Sequence, residues 1–276
     1  MKFGSLLLYV ASVAMSLACI ATHAQDGSTL HNDSKGDLAP TNRTSDTIPT
    51  STNSTVPKGT KTYTVSLQTN ALDASFAAGI LISPIHVLAG GASIADDIRY
   101  ATIGSHYNNG TEDGEQIKVV AIINHPNMSE ITEYSYDFMI LQLEKPSSFK
   151  PIAMTDRSDV KVGQIVTKLG WYNTAGQGQN AVELQRADVE LISNEECSNQ
   201  IFVDDSKMCS RPIGTQNACT GDYGGPVIVE GSGGDILVGM VSWGDDCGNP
   251  GYPSSYSRIS VGREWIDAII RGNCYH

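Results

Sequence analysis

Acyl-transfer chemistry calls for a hydroxyl nucleophile, an imidazole and a carboxylate, and this sequence supplies them only in part. In Ala218-Cys-Thr-Gly-Asp-Tyr-Gly-Gly-Pro226, Tyr223 sits among glycines that permit tight backbone turns. Its phenol titrates near pH 10 in model peptides, so it needs a base to become a nucleophile. Asp137, in Tyr136-Asp-Phe-Met-Ile-Leu-Gln-Leu143, heads an apolar run, and a carboxylate buried there requires hydrogen-bond partners. The histidines near such segments are His86, in Ile82-Ser-Pro-Ile-His-Val-Leu88, and His125. No Cys/His cluster has metal-ligand spacing, and no glycine-rich phosphate loop joins a strand to a helix. Neither a metal nor a cofactor is expected. Trp171, Trp243 and Trp265 are assigned to packing rather than to a sugar platform.

Such residues would be positioned by a β scaffold. Short runs rich in β-branched residues recur: Tyr63–Leu67, Ile80–Ile82, Val87–Leu88, Val119–Ile123, Phe138–Leu143, Ile165–Val166, Val189–Ile192, Val227–Val229, Ile236–Val241 and Tyr256–Ile259. Clusters of Gly, Pro, Asn and Asp separate them, which argues an all-β barrel or sandwich. One helical pattern, Val261–Ile270, is stopped by Gly272. Upstream, residues 26–60 hold 19 Ser, Thr, Pro or Asn and no aromatic residue, too little apolar surface to offset the entropy of ordering. Residues 1–24 have a basic start, an apolar run and a small-residue exit at Thr22-His-Ala24, the pattern of a secretory signal peptide. The expected organisation is therefore a leader over 1–24, a disordered spacer over 25–60 and a folded domain over 61–276.

Export makes the cysteines and sequons meaningful. Besides Cys19 in the leader, five cysteines remain: Cys197, Cys209, Cys219, Cys247 and Cys274. An odd count in an oxidising compartment predicts two bridges and one leftover thiol, idle or in an intermolecular disulfide. Asn32, Asn42, Asn53, Asn109 and Asn127 head glycosylation sequons. A net charge of −12 argues against a nucleic-acid partner and against an anionic membrane surface.

The segment around Tyr223 resembles the nucleophile loop of trypsin-like serine proteases, Cys-x-Gly-Asp-Ser-Gly-Gly-Pro, at all but one position. Val241-Ser-Trp-Gly244 followed by Cys247, then Pro253–Ile259, is similar to that family's pocket wall and last strand. Tyr136–Leu143 and Ile82–Leu88 resemble the strands leading to its aspartate and histidine. The resemblance runs in order from Tyr63 to Ile270 and implies two packed six-stranded antiparallel β-barrels with a C-terminal helix. It also implies a broken triad. The nucleophile position holds Tyr223, the histidine position in Gly90-Gly-Ala-Ser93 holds Ala92, and Asp137 alone remains. The bridge beside the histidine is lost on both sides, at Ala77 and Ser93, and no activation sequence precedes Tyr63. Asp222 then lacks the amine that would pair with it, which implies a looser nucleophile loop. Asn217 at the pocket base removes the reason to expect Lys or Arg recognition. By the same resemblance, Cys197–Cys209 and Cys219–Cys247 are the bridges, and Asp137 beside Ser242 is a buried structural relic.

A secreted protease fold without its triad, activation site or charged pocket resembles the glucanase inhibitor proteins that oomycete plant pathogens release into the host apoplast. That resemblance implies a non-enzymatic effector binding host endo-β-1,3-glucanases and suppressing release of defence-eliciting glucan fragments. Alternatives are a pseudoprotease that binds a protease or a cell-wall glycan, and a hydrolase with an unrecognised constellation. Interface residues are expected on loops near the old cleft, around Asn108–Gln116 and Asn173–Asn180.

Overall fold

Two rings of six antiparallel strands form the protein. The structure is a computed structural model and describes residues 54–91, 98–110, 112–132, 134–155, 160–171, 181–213, 223–242 and 252–273. A two-residue strand, β1 (Ser54–Thr55), opens them. The first ring comprises β2 (Thr64–Gln68), β3 (Ala77–Ser83), β4 (His86–Ala89), β5 (Tyr100–Ile103), β6 (Glu115–Asn124) and β7 (Met139–Leu143). It closes in the order β2-β3-β4-β7-β6-β5, with β5 returning to β2. Closure pairs every edge and leaves none open for aggregation. Strand β3 is buried along all seven residues, so its pattern reads as a continuous apolar run rather than an alternation. Leu67, Ile80, Leu88, Ile103 and Ile140 fill the interior.

The second ring contains β9 (Ile165–Gly170), β10 (Gln185–Ile192), β11 (Lys207–Pro212), β12 (Pro226–Val229), β13 (Ile236–Val241) and β14 (Ser254–Arg258). It closes β9-β10-β11-β14-β13-β12, and the short β8 (Ala153–Met154) lies parallel to β13. Val166, Val189, Leu191, Met208, Val227 and Tyr256 make its core. The two barrels and the C-terminal helix are the architecture that the sequence led one to expect.

A one-turn helix, α1 (Asn194–Cys197), is N-capped by Ser193, whose hydroxyl accepts from the Glu196 N–H. Helix α2 (Ile259–Ile270) buries Ile259, Trp265, Ile266 and Ala268. Gly272, at φ 72°, ends it in the left-handed conformation that glycine adopts freely. The helix grows from the second barrel, lies against its β13 and also reaches the first. A Cβ at Gly262 would lie 2.8 Å from the Phe138 ring, and the Trp265 ring meets His125 edge-on at 4.9 Å.

Packing starts earlier than the composition change at Lys61. Ser54 and Thr55 pair with Arg186 and Gln185, and Val56 is 1% exposed with its N–H donated to the Leu184 carbonyl. The Lys61 ammonium lies between the carboxylates of Glu230 and Asp235, and the Tyr63 hydroxyl donates to Asp235 at 2.7 Å. Burial, followed by that bond to Asp235, pushes the Tyr63 phenol far above its ordinary value.

Candidate functional site

Asp137 precedes β7 and is 1% exposed. Its carboxylate is met from both barrels. From the first, the Gly91 N–H donates to Oδ1 at 2.6 Å. From the second, the Ser242 hydroxyl donates to Oδ2 at 2.6 Å, and the Tyr223 phenol donates to Oδ1 at 2.9 Å and Oδ2 at 3.1 Å. The Ser257 hydroxyl donates to the Asp137 carbonyl at 3.0 Å. Donors to a charged acceptor are stronger than neutral pairs, and together they meet the demand that a buried carboxylate makes.

Tyr223 reaches Asp137 because Gly90, just past β4, has no side chain. A Cβ there would lie 2.4 Å from the phenol carbon Cζ and 2.4 Å from the hydroxyl oxygen. Gly91 leaves room in the same way for Met128, whose sulfur would meet a Cβ at 2.5 Å. The Tyr223 backbone is pinned as well. Its carbonyl accepts the Ala78 N–H at 2.8 Å, and Gly224, at φ 80°, donates its N–H to the Val241 carbonyl at 2.9 Å. The phenol proton is directed at a carboxylate, with no imidazole between the two among the described residues. This arrangement holds two loops together; it does not make a nucleophile.

The histidines occupy other surroundings. His86 shares a 2.8 Å hydrogen bond between Nδ1 and the Ser83 hydroxyl, and burial lowers its pKa. His125 is 5% exposed, stacked on Tyr136 at 5.0 Å and edged by Trp265, and its Nδ1 accepts the Asn127 N–H at 3.1 Å. Burial pushes its pKa down to about 4.

Residues 51–266 match the family described as Trypsin. Over 223 residues, 78% of this chain and 86% of the relative, the sequence is 42% identical to glucanase inhibitor protein 1 of Phytophthora infestans. It is 43% identical over 225 residues to glucanase inhibitor protein 3 of the same organism, covering 79% of this chain and 86% of the relative. Glucanase inhibitor protein 2 of Phytophthora sojae is 37% identical over 225 residues, 79% of this chain and 78% of the relative. The chain belongs to the glucanase inhibitor protein family.

Membership of an inhibitor family built on the trypsin fold points to a protein that is not an enzyme. In this glucanase inhibitor family member, a rim built from both barrels lies around Asn108. The Asn108 N–H and side-chain amide donate to the carbonyls of Val182 and Ala181, both at 2.9 Å, and its own carbonyl accepts the Ser75 N–H at 2.9 Å. Leu72 and Phe76, between β2 and β3, and Val182, before β10, are 83%, 37% and 62% exposed. Sequence reasoning singled out the Asn108 loop but missed these three apolar residues, which carry no spacing signal. It also missed Gly90, although the Gly90-Gly91 doublet was visible in the sequence.

A disulfide joins Cys197 of α1 to Cys209 of β11. Trp171 and Trp265 are buried, at 1% and 2%. Asn127 is exposed and Asn109 half-buried. Ala92, Ser93, Asn217, Asp222, Trp243, Cys219, Cys247, Cys274, Asn32, Asn42, Asn53 and the 173–180 loop lie outside the described residues.

Proposed function

We propose that this chain is a secreted, non-catalytic inhibitor of host plant endo-β-1,3-glucanases, acting in the apoplast to suppress release of defence-eliciting glucan fragments. The observation that carries the non-catalytic part is the Tyr223 phenol packed over Gly90 and donating to Asp137. On this reading Ala92 and Tyr223 stand where the protease family has its histidine and serine. The relatives' names supply the target class. Recognition runs through the two-barrel rim of Leu72, Phe76 and Val182, since loops on a rigid scaffold are where binding surfaces form. The overall negative charge steers a basic partner toward it. Cys219–Cys247 forms the second bridge, and Cys274 is available for an intermolecular one.

The test is a titration of the purified mature protein, residues 25–276, against a plant endo-β-1,3-glucanase acting on laminarin. Saturable inhibition that is weakened by Leu72→Asp with Val182→Asp supports the reading. Flat activity across the titration removes the glucanase target. Binding to isolated glucan in the absence of glucanase would favour a carbohydrate-binding module instead.

A further inference from the structure

Asp137 receives hydrogen bonds from Gly91 on one barrel and from Tyr223 and Ser242 on the other. The Tyr223 carbonyl, in turn, takes the Ala78 N–H from β3 of the first barrel. The Tyr223 ring lies where a Gly90 side chain would be, so the aromatic and the missing side chain are sterically complementary. We infer that Asp137, Tyr223 and Gly90 form an inter-barrel lock, in which Gly90 is the socket, Tyr223 the bolt and Asp137 the catch.

The lock matters for recognition because the rim spans the joint. Leu72 and Phe76 belong to the first barrel and Val182 to the second, tied locally by the Asn108 bonds to Val182 and Ala181, so a shift of one barrel against the other strains that tie and changes their mutual geometry. Tyr223 and Asp137 are thus positioning residues that act on a surface they do not touch. This last step rests on the proposed glucanase reading; the lock itself does not. Preorganising a surface spares the ordering cost on binding, so a loosened joint weakens affinity without removing any contact.

The experiment combines amide hydrogen exchange with a double-mutant cycle on the full mature chain. Tyr223→Phe keeps the ring and removes the donor. It should speed exchange at the Ala78 amide about tenfold, the scale of one lost hydrogen bond to a charged group, and weaken glucanase inhibition severalfold. Gly90→Ala should speed Ala78 exchange at least as much. Gly90→Ala combined with Tyr223→Ser should be better protected than Gly90→Ala alone, because the smaller residue clears the collision. If Gly90→Ala fails to fold, recovery of soluble protein in the double variant is the same result read another way. Additive effects in the cycle, or Ala78 exchange indifferent to Tyr223→Phe, would overturn the lock. Coupled exchange with no inhibition by the unaltered protein would leave the lock standing and fail the glucanase reading. Leu72→Asp is the control for contact: it should lower inhibition while Ala78 exchange stays unchanged.

Discussion

Acidification from about pH 6.5 toward 4 should destabilise this fold, and His125 is the reason. Its pKa is about 4 in the folded chain against an ordinary value of 6.5, because burial among Tyr136, Phe138 and Trp265 disfavours the charged ring. A histidine with a depressed folded pKa is protonated preferentially in the unfolded chain. The stability it allows is complete above pH 6.5 and drains away as pH falls from there toward 4. The single-site relation gives a loss of about 2 kcal/mol between about pH 8 and pH 5, approaching ~3 kcal/mol below pH 4. His86 shifts in the same direction and adds to the loss. The carboxylates are separable from it. Burial would raise Glu115 and Asp204, but hydrogen bonds from Ser148 and Ser147, and from Ser135 and Ser206, hold both below their ordinary values. Their contributions begin to be lost only as pH falls through their ordinary values of 4.5 and 3.8, at the acid end of the histidine window, so the pH 8 to 5 interval belongs mainly to the histidine. Urea unfolding of the unaltered protein and of His125→Phe, each at several pH values, measures the effect. The variant forfeits the Asn127 N–H bond at every pH, so the slopes are compared rather than the absolute stabilities. A drop between pH 8 and pH 5 of equal size in both proteins would refute the assignment to His125.

Two further outcomes follow from the geometry. Replacing Cys197 and Cys209 together by Ser, with 12 residues of sequence separation, should lower stability by about 3 kcal/mol by loop-closure entropy and is read by urea unfolding. Gly224→Ala should cost at least ~2 kcal/mol, since φ is 80° and a Cβ would lie 2.3 Å from the Ala78 carbonyl oxygen; a melting temperature unchanged from the parent would contradict it.

What could be read in the sequence depended on whether the physical signal was local. Phe138–Leu143 announced β7 because a continuous apolar run needs no partner to be recognised, and Gly272 closed α2 by local backbone preference. Strand β11, Lys207–Pro212, escaped: its burial comes from Lys207, Met208, Cys209 and Ser210, the last bonded to the Tyr256 hydroxyl at 2.6 Å, and no apolar periodicity marks it. The short β5, Tyr100–Ile103, was missed because four residues give little pattern to count. At the site, the residue types at 137 and 223 were legible, but their contact was not. It joins positions 86 apart in the chain, and only the folded barrels bring the phenol within reach of the carboxylate. The apolar rim residues were invisible for the converse reason, since exposure is a property of the surroundings rather than of the residue.

The missing side chain at Gly90 also bears on history. A lineage acquiring a serine at position 223 would vacate the space beside Gly90 and take one donor from Asp137. Placing an alanine at position 90 beforehand would drive a methyl group into the tyrosine ring. Change at these two positions therefore has a forced order and a weakened first intermediate. Residues 90 and 223 are thereby held in their present pairing by epistasis, whatever selection later favours.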